Sequence, residues 1–226
     1  LEIVNLIEER AWMTDRKGGQ ETRQRILEEP CKFFGERGFR DSTHADICAR
    51  AGANVAAINY YFGTKEALYR TVFEYLSGKS EALYPFDEGV PENGTPEARL
   101  HAFIRAFLRR VFDPDELRNL HRIRMAEMFD PTGLLDEVMD QQLNKDRSYI
   151  LGILRELTGP ETPTRSLEWC EMSIVGQCLM VAHGPRDDRH QDIFGFNVAG
   201  VDLLAEHILE FSLAGVAAIC GRSNAS

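Results

Sequence analysis

Between Asn54 and Lys65 the sequence reads NVAAINYYFGTK, a run that brings two alanines, an amide, two phenols and a lysine together. On one short helix those groups suit contact with a nucleic acid. Ala56 and Ala57 keep the surface low enough for backbone to approach base edges, and an alanine methyl can touch a thymine methyl. Asn59 can hydrogen-bond bidentately to adenine, while the hydroxyls of Tyr60 and Tyr61 have the reach of phosphates. Lys65 opens the next helix and adds a charge where the helix dipole already favours an anion. Thr43 and Asn54, which cap the two helices concerned, complete the candidate DNA-contacting set. Ile58 and Phe62 should point the other way and hold the short helix against its neighbours.

A second group of residues suits an apolar small molecule. Phe103, Phe107, Met125, Met128, Phe129, Tyr149 and Met172 offer the adaptable Met and aromatic walls of such a pocket, although each is also ordinary core material. Arg124 and Glu127, three apart on a helix, could pair with each other or present charge to a ligand. Gln177 lies in the apolar run MSIVGQCLMVAH, and its amide needs partners from a second copy of the helix or from a bound effector. The candidate effector pocket is therefore Phe103, Phe107, Arg124, Glu127, Met128, Tyr149, Met172 and Gln177.

Other chemistry finds little support. The segment HGPRDDRHQD holds His183, Asp187, Asp188, His190 and Asp192 but fits no ligand template, so it reads as a solvated loop and no metal or cofactor is expected. No nucleophile elbow, phosphate loop or H-E-x-x-H occurs, and an enzyme using Glu127 or His121 as acid or base is the weakest alternative. The five cysteines are scattered without a C-x-x-C pair, which with no signal peptide points to free thiols in the cytoplasm. The uncharged run from Phe211 to Gly221 is too short for a membrane span. Leu1 precedes Met13, which reads as a start site, so residues 1–20 are treated as an extension without functional weight.

A formal net charge of −10 looks wrong for a nucleic-acid binder until it is divided along the chain. Residues 15–80 carry 11 Lys/Arg against 9 Asp/Glu, whereas residues 81–226 carry 14 against 24. One end is mildly basic and the other strongly acidic.

The elements that must position these groups are helices. Periodicity near 3.6 recurs throughout and strand-like alternation is never sustained, which predicts an all-α fold. A first helix spans about Glu21–Arg37, bent at Pro30 and stopped by Gly38. A second opens at THAD, with Thr43 and Asp46 resembling a capping box, and closes at Gly52. Asn54 caps the short third helix, and Thr64 caps the fourth. The Pro-, Gly- and acid-rich YPFDEGVPENGTP predicts a linker at 84–96, after which Thr95 and Pro96 start a helix bearing Leu100, Phe103, Ile104, Phe107, Leu108 and Val111. Helices follow over about 115–130, 134–157, 165–183 and 198–220, the last two apolar nearly all round, which requires burial on most sides. The division is an extension (1–20), a helix-turn-helix domain with its connecting helix (21–83), a linker (84–96) and a helical domain (97–221).

Two helices turning at Gly52, the second short and capped, outline a helix-turn-helix. The segment TRQRILEEPCKFFGERGFRDSTHADICARAGANVAAINYYFGTKEAL also resembles the DNA-binding domain of TetR-type transcriptional regulators. Ile26, Leu27, Phe34, Gly38, Phe39, Thr43, Ile47, Ala51, Gly52, Phe62, Lys65, Glu66 and Leu68 carry that resemblance in register. Pro30 and Cys48 stand where alanine is usual, and Asn59 where tyrosine is usual. RMAEMFDPTGLLDEV, taken with the recognition segment, is similar to the CecR (YbiH-like) subgroup. The resemblance implies a homodimer, its last two long helices (about 165–183 and 198–220) making a four-helix bundle, and a small-molecule effector bound by the C-terminal helices. The expected function is a ligand-responsive repressor of a palindromic double-stranded DNA operator. The alternative is a helical ligand-binding or scaffold protein that has lost operator recognition.

Overall fold

The computed structural model describes residues 23, 26–52, 55–113, 116–182 and 200–223, which form helices and turns with no strand. α1 covers residues 26–37. It is followed by α2 (His44–Ala51), α3 (Val55–Phe62), α4 (Lys65–Leu83), α5 (Pro96–Phe112), α6 (Leu117–Phe129), α7 (Asp136–Thr158), α8 (Thr164–Ala182) and α9 (Val201–Ser223). Among the described residues no helix is long and apolar enough to cross a membrane. Residues 1–22, Asn54 and residues 183–192 lie outside the described residues.

Local signals account for most helix ends. Gly38 stops α1 at φ 73°, a left-handed conformation that only glycine adopts without a Cβ penalty, and its N–H donates to Phe34 O at 2.9 Å. Thr43 is extended and accepts from Asp46 N at 3.1 Å, satisfying one otherwise orphaned amide of α2. Its hydroxyl in turn donates to Asp46 Oδ2 at 2.6 Å. Thr95 caps α5 in the same way, with Pro96 in the first turn. α1 stays helical on both sides of Pro30, which is buried.

The chain divides into two compact units, Leu1–Leu76 with Asn119–Leu135, and Ser77–Arg118 with Asp136–Ser226. This differs from the linker read at 84–96, which lies wholly in the second unit. The reason is electrostatic. Arg105 and Arg109, one turn apart on α5, both pair with Glu88, leaving that carboxylate 7% exposed. Arg110 donates to Tyr84 O at 2.9 Å and stacks over Phe86 at 3.7 Å. A polar, proline-rich stretch is thus strapped onto α5, and Glu88 itself takes a positive φ of 42°.

In the first unit, Ile26, Leu27 and Phe34 of α1 join Ile47 of α2, Ile58 of α3, and Leu68, Tyr69, Val72 and Phe73 of α4 in the core. α6 contributes Ile123 to it. A Cβ on Gly35 would meet Asn119 Oδ1 at 2.5 Å, so α1 and α6 approach as closely as a glycine permits. In the second unit α5 is central, touched by α7, α8 and α9. Leu100, Ile104 and Leu108 on α5, Ile150 and Leu154 on α7, Ile174 and Cys178 on α8, and Ala205 and Ile208 on α9 are all buried in one cluster.

Candidate nucleic-acid interface and ligand-binding unit

α3 has two faces. Ile58 is fully buried and Phe62, one turn on, is 6% exposed, so these two seat the helix. Ala56, Asn59 and Tyr60 lie on the opposite face and are exposed, Tyr60 to 83%. Ala57 and Tyr61 flank them, half-buried. The rings of Tyr60 and Tyr61 meet edge to face at 5.1 Å, an arrangement that holds both phenols at one end of the helix. The outward face is therefore a low alanine floor, one amide and two phenols.

Lys65 is placed differently from the sequence reading. Its Nζ donates to Phe39 O at 3.0 Å and to Ser42 O at 2.7 Å, and it sits 3.9 Å above the Phe39 ring. The ammonium is committed inside the unit because the turn between α1 and α2 offers it two carbonyl oxygens and a π face. Thr43 likewise spends its hydroxyl on Asp46. Other basic side chains of this unit are paired too: Arg50 with Glu36 at 2.8 Å, and Arg40 with Asp130 at 2.9 Å.

The expected pocket residues are only partly assembled. Phe103, Phe107 and Tyr149 come together in the second unit, and the strap supplies Phe86, whose centroid is 4.5 Å from Phe103 and 6.3 Å from Tyr149. Sequence reasoning passed over Phe86 because its neighbours are turn formers, although the arginines at 105, 109 and 110 were a legible sign of an acidic loop held on α5. The Tyr149 hydroxyl is buried without a hydrogen-bond partner among the described residues, and burial, with Asp87 adding to it, pushes its pKa up.

Of the remaining five, three belong to the first unit and two lie outside the buried cluster of the second. Arg124, Glu127 and Met128 belong to the first unit, where the Arg124 guanidinium lies 5.8 Å from the Phe73 ring centroid and Met128 is exposed. Glu127 is buried and accepts from Tyr69 Oη at 2.8 Å, from Thr132 N at 2.9 Å and from the Thr132 hydroxyl. This carboxylate is a fastener between α6, the turn after it and α4, and burial followed by the bond to Glu127 raises the pKa of Tyr69. Met172 is 66% exposed on α8. Gln177 donates to Ser173 O at 3.1 Å and lies 3.5 Å from Ser212 Oγ on α9. Met172 and Gln177 lie outside the buried cluster of their own unit, which spacing within a single helix could not reveal.

α8 and α9 each keep large apolar side chains exposed among their charged ones. On α8 these are Trp169, Met172 and Met180, at 57%, 66% and 77%, with Gly176 between them at helical spacing. On α9 they are Leu203 and Phe211, at 71% and 65%. A cleft of about 550 Å³ runs beside the α8 row, lined by Arg147, Arg165, Trp169, Met172, Val175 and Leu179 among others. Arg147 reaches Glu171 there at 3.0 Å. Cys178, on the buried side of α8, has its thiol pushed up to about 12 by burial.

A capped helix-turn-helix followed by a helical unit defines the class, and comparison with known proteins agrees. The family model for bacterial regulatory proteins of the tetR family matches residues 26–72. That for the C-terminal domain of the HTH-type transcriptional dual regulator CecR matches residues 96–216, more than half of the chain. The chain belongs to the TetR family of transcriptional regulators, with a CecR-type C-terminal domain. Among relatives, CecR of Shigella flexneri is 24% identical over 170 residues, covering 71% of this chain and 75% of that protein. A TetR-like regulator from Rhodococcus sp. RHA1 shares the fold with a TM-score of 0.60 at 21% identity, over 86% of this chain and 96% of its own. AibR, solved with isovaleryl coenzyme A and operator DNA, gives a TM-score of 0.65 at 14% identity, over 84% of this chain and 97% of its own.

Proposed function

We propose that this regulator is a homodimeric repressor that reads a palindromic operator with α3 and is released by a small molecule bound in its second unit. The observation that carries the reading is the orientation of α3, with Ile58 and Phe62 inward and Ala56, Asn59 and Tyr60 outward. In a helix-turn-helix that outward face enters the major groove, and a dimer presents two copies about one helical turn apart. The exposed row of Trp169, Met172 and Met180 on α8, with Leu203 and Phe211 exposed on α9, supports dimerisation, since exposed apolar side chains in a row along a helix call for a partner surface. The Phe86, Phe103, Phe107 and Tyr149 cluster supports an effector with an apolar body and one polar group for the Tyr149 hydroxyl. AibR, a structural neighbour solved with both isovaleryl coenzyme A and operator DNA, is a precedent for one chain of this fold binding both kinds of partner.

Release requires an effector that prefers one conformation over the other. The chain would act wherever the chromosome lies, with no catalytic step.

Selection of genomic fragments by the purified chain tests the proposal. An enriched inverted repeat is the expected result, and no enrichment would leave the scaffold alternative. With an operator in hand, Asn59→Ala is expected to relax base preference at one position per half-site at a cost of about 1–3 kcal/mol. A randomised operator pool measures this, and unchanged preference at every position would remove Asn59 from base readout.

A further inference from the structure

A lysine at the first position of a helix is badly placed, because the positive end of the helix dipole lies there. Lys65 occupies that position in α4, so something must offset the repulsion. The offset is visible. Its ammonium donates to Phe39 O at 3.0 Å and Ser42 O at 2.7 Å, and the face of the Phe39 ring lies 3.9 Å beneath it. The carbonyls come from the turn before α2, whereas Lys65 comes directly after the turn that ends α3.

We propose that Lys65 is a positioning residue: it ties the entrance of α2 to the exit of α3 at one point and so fixes the pose of α3 for base reading, without contacting phosphate. This rests on the reading of α3 as the DNA-contacting helix. The two ends it joins are otherwise well ordered by their own bonds. Ser42 Oγ donates to Gly38 O at 2.6 Å on one side, and Gly63 N to Asn59 O at 3.0 Å on the other. Along the chain the two are joined through α2 and α3, and a cross-link over such a length of chain removes much of its freedom. The ring below the ammonium is also fixed, since Phe39 packs against Tyr69 with centroids 5.0 Å apart. A flexible chain with one strongly hydrated charge is thereby turned into a three-point clamp.

A phosphate contact and a clamp predict different salt behaviour. Each phosphate neutralised adds about 0.9 to the slope of log affinity against log salt, for every DNA sequence alike. A clamp acts only on the fit between α3 and the correct bases. The experiment uses the full chain and its Lys65→Met variant, with an operator duplex recovered by selection and a random-sequence duplex of equal length. Lys65→Met is expected to weaken operator binding about tenfold or more, with affinity for the random duplex and both salt slopes unchanged. Equal loss on both duplexes with a slope reduced by about one per protomer would overturn the clamp and restore the phosphate contact.

A second measurement needs no variant. The chain has five lysines, so a sample labelled with nitrogen-15 in lysine has five ammonium groups, of which a clamped one stands out by its slow exchange. The Lys65 signal is expected to show slow hydrogen exchange in the free protein and to keep its position when operator is added. A fast-exchanging signal, or one that moves on binding, would overturn the proposal. If the wild-type chain itself fails to distinguish operator from random DNA, the reading of α3 fails instead, and the free-protein exchange rate still decides whether the clamp exists.

Discussion

Replacing Trp169 and Phe211 together by glutamate is expected to leave single chains in solution and to weaken operator binding by about a hundredfold or more. Both side chains are largely exposed in the chain by itself, at 57% and 65%. Burying such a side chain is worth about 1.5–3 kcal/mol, and in a two-fold interface every substitution is felt twice. Adding like charges that face each other across the axis turns that gain into repulsion. Each half-site would then be bound without the help of the other, losing the roughly 10²–10⁴ that linkage of two weak contacts supplies. Sedimentation at micromolar concentration measures the assembly directly. A variant that remains a dimer would move the seam away from these side chains.

The second large effect is expected inside the first unit. Glu127→Ala strips the partner from the Tyr69 hydroxyl, from Thr132 N and from the Thr132 hydroxyl at one stroke. Charged hydrogen bonds contribute about 1.5–3 kcal/mol, and the donors left behind in a buried place carry a further desolvation cost. A loss of about 3 kcal/mol, or roughly 6–12 °C in melting temperature for a chain of this size, is the expected outcome. Glu127→Gln keeps the shape and an acceptor for Tyr69 but turns a second acceptor into a donor, so it should fall between wild type and alanine.

The same fastener sets a dependence on pH. Burial first, and the bond to Glu127 second, hold the Tyr69 phenol protonated well beyond its ordinary range. The unfolded chain releases that proton near pH 10, the folded chain only far above it. The folded state binds the proton more tightly, so this contribution is complete below about pH 10 and declines as pH rises beyond it. Tyr69→Phe should flatten that decline in a series of melting temperatures, and an unaltered profile would contradict the assignment.

How much of this was legible in the sequence depends on the range of the interaction. Helix ends were readable because a cap is a local event: Gly38 after α1, Thr43 before α2 and Thr95 before α5 act within three or four residues of themselves. The two faces of α3 were readable for the same reason, since Ile58 and Phe62 are one turn apart. The Glu127 fastener was not, because its partner lies 58 positions away and nothing near Glu127 announces a tyrosine on another helix. Lys65 illustrates a different limit. Its acceptors are backbone carbonyls, and a carbonyl has no residue type to recognise.

The effector candidates divide along the same line. Phe103 and Phe107 share a face of α5 by spacing alone, and Tyr149 joins them because α7 packs on α5. Met172 and Gln177 are also on an apolar helix, yet which side of α8 meets the core is decided by the other helices and not by α8 itself. The strap was illegible for a related reason: proline, glycine and acidic residues signal a break in regular structure, but not whether three arginines will fasten the break to a helix.

The central claim, that a two-fold pair of chains offers two α3 helices to one face of a duplex, is tested most directly by counting chains and mapping contacts on the selected operator. Native mass spectrometry should give an even number of chains per duplex, and hydroxyl-radical footprinting should show paired protections one helical turn, about 34–36 Å, or a multiple of that apart. A single chain per duplex with one continuous protected patch would contradict it.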